Sequence, residues 1–135
     1  MRTSLWIAAT AALTMVAPGL AAAHHSYAMF DRSKTSEAKG TVAKVEWSNP
    51  HVFVWIYVPK TGGGYDLYAF ESDAVTRLSR MGWSATSLPI GDKVAIDYYP
   101  LRDGRPGGKL VAAKLASGQT FATTDDPAVT RGLRP

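Results

Sequence analysis

The chain has 135 residues, a net charge of +4 and no cysteine. That length suits one domain rather than two, and the missing thiols exclude disulfides, thiolate metal sites and cysteine nucleophiles. With 46% hydrophobic and 19% charged residues the composition is globular; the positive excess is too mild and too evenly spread for a nucleic-acid footprint, though it favours weak contact with acidic surfaces.

Residues Met1 to Ala23 read as a secretory signal. Arg2 supplies the positive start, Leu5 to Ala17 the uncharged apolar run, and Pro18-Gly19 the helix break. Ala21-Ala22-Ala23 offers small residues for cleavage. The apolar run is shorter than the roughly 20 residues that span a bilayer. The expectation is therefore export to the periplasm, a mature chain beginning at His24 and no membrane span after cleavage. Cleavage after Ala22 would instead leave Ala23 first.

His24 to Ala38 shows no period and reads as an irregular arm. From Gly40 a strand begins, with Ala43, Val45 and Trp47 on one face and Lys44 and Glu46 on the other. Ser48-Asn49-Pro50 is turn chemistry. His51 to Val58 carries the strongest strand signal: Val52, Val54, Ile56 and Val58 form an aliphatic face, and His51, Phe53, Trp55 and Tyr57 the opposite one. A glycine-rich turn over Pro59 to Gly64 predicts a hairpin with the strand Tyr65 to Phe70. Ser72 or Asp73 can then cap a helix whose Ala74, Val75, Leu78 and Met81 fall at helical spacing, with Gly82 as its stop. Lys93 to Tyr99 and Lys109 to Leu115 are two further strands, joined by a long turn, with a short piece around Phe121 after them. Thr123 to Pro135 lacks an apolar period and reads as a tail, leaving residues 24–122 as the domain.

Three strands, a helix and two strands is the order of a mainly β, five-stranded Greek-key barrel of the oligonucleotide/oligosaccharide-binding type, with its helix between strands 3 and 4. An open α+β sheet is the alternative.

Three features can carry chemistry. The first is the set His24, His25 and His51, the only histidines of the chain. The free amine and ring nitrogen of a terminal His24 can chelate one ion, and an imidazole from His51 or His25 completes an all-nitrogen set suited to Cu(II). If Ala23 leads, the amine, two backbone amides and the imidazole of His25 make a square-planar site of the same kind. Copper is thus the metal to expect, since zinc usually needs four protein ligands or three plus water. Met29 could be a soft ligand for Cu(I), but beside Phe30 it reads as packing. The plainer alternative is a solvated terminus, with His51 merely starting a strand. In the metal reading Asn49 would orient His51.

The second feature is aromatic. Trp47, Phe53, Trp55, Tyr57, Tyr68 and Phe70 come from three adjacent strands and could form a face that holds a small molecule, a glycan or a partner protein. They could equally fill a second small core. The third is acidic: Glu71 and Asp73, with Asp66 nearby, could do acid–base work, but helix capping is the simpler role. Arg102-Asp103-Gly104-Arg105 could hold an anion or be a solvated turn. No nucleophile elbow, phosphate loop or dinucleotide fingerprint argues for an enzyme.

His24-His25-Ser26-Tyr27-Ala28-Met29-Phe30-Asp31, Gly40-Thr41-Val42, Trp47-Ser48-Asn49-Pro50-His51, Met81-Gly82-Trp83, Gly91-Asp92-Lys93-Val94 and Pro100-Leu101-Arg102-Asp103-Gly104 with Gly107-Gly108 resemble, in fixed order, a family of small exported bacterial proteins catalogued as a domain of unknown function. The likeness runs from His24 to about Phe121. It implies export and a compact β-rich domain, and it brings no activity, substrate or catalytic residue. Its pattern includes positions matching His24, His25 and His51; Tyr27 stands where phenylalanine is common.

Overall fold

The computed structural model describes residues 27–124. Six strands and one helix follow in chain order: β1 Ser36–Glu46, β2 Phe53–Pro59, β3 Tyr65–Glu71, α1 Val75–Arg80, β4 Lys93–Pro100, β5 Gly107–Leu115 and β6 Thr120–Ala122. β1 pairs antiparallel with both β2 and β4, β2 with β3 and β4 with β5. A parallel pairing of β3 with β5 closes the ring, Ala69 to Glu71 lying against Gly107 to Lys109. The fold is therefore mainly β, a closed five-strand barrel with one short helix between β3 and β4, as the sequence order suggests. β6 adds a short flap along β5.

β1 starts earlier than its apolar pattern does. Ala38, Gly40 and Val42 point inward while Glu37 and Lys39 are exposed, but alanine and glycine give the inward side little hydrophobic signal. Ser36 to Ala38 thus belongs to a strand and not to an irregular arm. The register then jumps, Val42 facing Ile56 and Lys44 facing Trp55. This bulge shifts the alternation by one residue, which is why the phase of Val45 and Trp47 does not extend back through Val42. Gly40 lies next to Thr41, where β1 passes from β2 to β4. A Cβ at Gly40 would collide with the Tyr57 carbonyl.

The aliphatic run from Val52 into β2 is the heart of the core. Val52, Val54 and Ile56 are fully buried and pack with Val42, Phe70, Ile96 and Leu110. From outside the strands Leu78 of α1, Trp83 and Leu88 join the same cluster. Burying each such side chain is worth about 1.5–3 kcal/mol. Trp83 is tied down further, its indole N–H donating to the Ala122 carbonyl at 2.7 Å while its ring tilts against Phe121 at 5.2 Å. That pair fixes β6 against the core. Thr123 is buried, and its hydroxyl donates to the carbonyls of Leu110 and Val111.

The closure of β3 on β5 needs bare backbone at Gly107, where a Cβ would meet the Ala69 carbonyl and φ is +118°, a conformation open to glycine. Gly108 serves the other neighbour of β5: a Cβ there would meet the Tyr99 carbonyl of β4.

Candidate functional site

His51 lies just ahead of β2, beside the end of β3. Its Nδ1 is 3.2 Å from Oε1 of Glu71, with the imidazole 37% exposed and the carboxylate 15% exposed. If Nδ1 carries the proton toward that carboxylate, the Nε2 lone pair is left for an incoming ion, with the partly buried Glu71 orienting the ring. In β5, Lys109 stands in register with Glu71. Its ammonium lies 4.0 Å from Glu71, donates to the Ser72 carbonyl at 2.7 Å and pairs with Asp73 at 2.9 Å. Arg77, one helical turn on, holds the other oxygen of Asp73 at 2.9 Å. Glu71 and Asp73 are therefore neutralised by Lys109 and its neighbours and do not form an open acid–base pair. Ser72 Oγ, buried beside them, has no hydrogen-bond partner among the described residues.

The N-terminal arm arrives at this same corner. Tyr27 places its ring 5.7 Å from the Lys109 ammonium. The arm is pinned by Asp31 N–H to the Pro100 carbonyl at 2.8 Å, by Arg102 N–H to the Met29 carbonyl at 2.9 Å and by the Arg102 guanidinium to the Ala28 carbonyl at 3.1 Å. Phe30 is buried opposite Leu101, whereas Met29 is exposed. His24 and His25 lie outside the described residues. Among the described residues no group of three or more histidine, aspartate or glutamate side chains could hold a metal ion.

Other candidates take simpler parts. The Asn49 side chain is directed elsewhere than His51: its Oδ1 accepts the Val75 N–H at 3.1 Å, so a turn 26 residues upstream supplies the side-chain bond at the start of α1. Neither Ser72 nor Asp73 caps the helix; its N-cap position is Ala74, which has no side-chain bond to give. Asp66 pairs with Lys60 in the hairpin. Asp103 is occupied by Arg105, whose backbone and guanidinium hydrogen bonds hold the Asp103 carboxyl below its ordinary range. With Arg102 spent on Ala28, that loop is a self-satisfied turn.

The aromatic residues divide between two faces. Phe53, Trp55 and Tyr57 share the outer face of β2, Phe53 and Trp55 stacking at 5.6 Å and Lys44 resting over Trp55 at 4.8 Å. Register brings Leu67 opposite Tyr57 and Tyr65 opposite Pro59. Tyr57 (49% exposed), Leu67 (51%) and Tyr65 (63%) leave this apolar surface open. Tyr68 does not belong to it. It pairs with Ile56 on the inward side and tilts against Phe70. Trp47 is half-buried against the core, as the phase beyond the bulge requires. Tyr98 lies under the same aromatics, and burial, then Tyr68, pushes its hydroxyl pKa up.

Sequence reasoning missed Lys109, Tyr65, Leu67 and Lys44. Alternation in the second hairpin strand could have shown Tyr65 and Leu67. Nothing local marks Lys109, because its partners are 36 or more residues away.

No helix among the described residues is long and apolar enough to cross a membrane. Residues 12–111 match the model of a Family of unknown function (DUF6152), and the chain belongs to that family. No curated protein and no solved structure matches it.

Proposed function

We propose that this member of the family is an exported periplasmic protein that binds a transition metal, copper by preference, through His24, His25 and His51, for holding or delivery rather than catalysis. The observation that carries the reading is the His51–Glu71 pair: a half-exposed imidazole held through Nδ1, at the corner where the arm enters at Tyr27. In this reading His24 gives its amine and ring nitrogen, His51 gives Nε2, and Glu71 orients His51. Nitrogen donors of this kind suit Cu(II).

The test is Cu(II) titration of the processed protein, by calorimetry and electron paramagnetic resonance, with N-terminal sequencing of the exported chain. Tight one-to-one binding should be lost in His51→Ala and on acetylation of the amine. Glu71→Gln should weaken it about 10–100-fold, as changes behind a ligating histidine do. Binding indifferent to His51→Ala would sink the reading.

The open outer face favours a second reading: a binding module whose Phe53, Trp55 and Tyr57 hold a partner protein, glycan or small molecule. Exposed aromatic patches of this kind mark interaction surfaces. Sedimentation at rising concentration, and in mixtures with envelope extract, should show association that Tyr57→Ser with Tyr65→Ser removes. Sedimentation unchanged by the double substitution counts against it.

A further inference from the structure

A second concave site lies away from both the histidine corner and the aromatic face. It opens where β1 passes from β2 to β4 as a shallow, solvent-open trough of about 440 Å³, a volume within the roughly 300–1,000 Å³ range of small-ligand sites. Its wall is apolar: Pro59, Val94, Ala95 and Leu115 line it. Its outline follows from strand register. Lys39 pairs with Ala95, and Ala95 with Lys114. Directly opposed residues share a face of the sheet, so two long side chains flank a single methyl group and leave a trough over it.

The charged residues of the lining have one sign, while Glu37 and Asp97 face each other just beyond Lys39 and Ala95. Lys39, Lys93 and Lys114 line it, and no carboxylate does. Lys39 is already engaged by Glu37 at 2.9 Å. The Lys93 ammonium donates to the Thr41 hydroxyl at 2.7 Å, which satisfies one proton without neutralising the charge. Lys114 has no ion pair among the described residues. Two uncompensated cations therefore stand at the edge of an apolar trough, with no aromatic ring in its lining on which a base or sugar could stack.

We infer that this trough binds a small carboxylate amphiphile, its alkyl chain lying over Ala95 against Pro59 and Leu115 and its carboxylate between Lys93 and Lys114. An apolar wall alone would accept any greasy molecule; the lysines at its edge favour an anionic head, through charge-assisted hydrogen bonds. The site shares no residue with the histidine corner.

The probe is laurate below its micelle concentration, titrated into the processed full chain by calorimetry and by amide-shift mapping. Acetate supplies the head without the chain, and dodecyl maltoside the chain without the charge. One-to-one laurate binding is expected, with shifts centred on Ala95 and Lys114, and neither control should compete. Ala95→Phe fills the trough and should abolish binding. Lys93→Gln with Lys114→Gln, both exposed, should weaken it about tenfold or more while leaving the unfolding midpoint near that of the parent. Should Ala95→Phe fail to fold, Lys114→Glu carries the same test from outside the wall. His51→Ala should leave laurate binding untouched, which separates this site from the copper reading. Equal binding of the neutral detergent, laurate binding that survives both the filled trough and the charge changes, or attachment only to anionic vesicles would each overturn the inference.

Discussion

β3 meets its two neighbours in contrasting ways. Along β2 it pairs through seven positions, Phe53 with Glu71 to Pro59 with Tyr65, across one short turn. Against β5 it pairs through three, in parallel, with residues nearly forty positions away. The hairpin is local and redundant, so any one of its outward side chains can change without loosening the strand. The seam is short and remote. It depends on the bare backbone of Gly107 and on a buried ammonium in register with a carboxylate.

The largest expected effect follows from that contrast. Gly107→Ala puts a methyl group into the Ala69 carbonyl and asks alanine to hold φ +118°; it should cost about 3 kcal/mol or more, read as a drop in the denaturant midpoint. An unchanged midpoint would mean that the seam does not hold the barrel. Lys109→Met comes next. It strips the charge from between Glu71 and Asp73, and breaking a buried pair from one side costs about 3–5 kcal/mol. Restoring much of that loss with Asp73→Asn in the same chain would show that stranded charge, not lost packing, is the cause.

On the hairpin side, Tyr57→Ser should shift stability by less than about 1 kcal/mol, the size of a cross-strand pair, even though it removes a large ring. A loss comparable to that of Gly107→Ala would erase the contrast. The smallest effect concerns the outward side of β4. Burial, and then Glu37 directly across from it, raise the Asp97 pKa above 3.8. A carboxyl whose folded pKa is raised binds protons more tightly in the native state, so its contribution falls as pH rises from below 3.8 through the folded value. Asp97→Asn should therefore be modestly more stable than the parent at pH 7 and converge with it in acid. A gap that widens as pH falls would reverse the assignment.

Much of the barrel was legible in the chain. β2 announces itself through Val52, Val54 and Ile56, the hairpin through its glycines, and α1 through Val75, Leu78 and Met81. The first half of β1 was not, because Ala38 and Gly40 face inward with almost no apolar side chain and the bulge breaks the phase. The histidine corner was half legible. His51 stood out as a histidine after a turn, but its partner Glu71 looked like a capping acid, and Asn49, which caps α1, looked like the partner of His51. The aromatic face was read with Tyr68 in it, since composition counts rings and only register says which side each ring takes.

Alternation, turn residues and composition determined the elements and their order, because those signals live within a few residues of one another. Closure of the barrel, the bond from Asn49 to the helix start, the burial of Lys109 and the trough between Lys39 and Lys114 were decided only in three dimensions. Each joins groups far apart in sequence, and a pairing register that no short stretch of chain encodes brings them together.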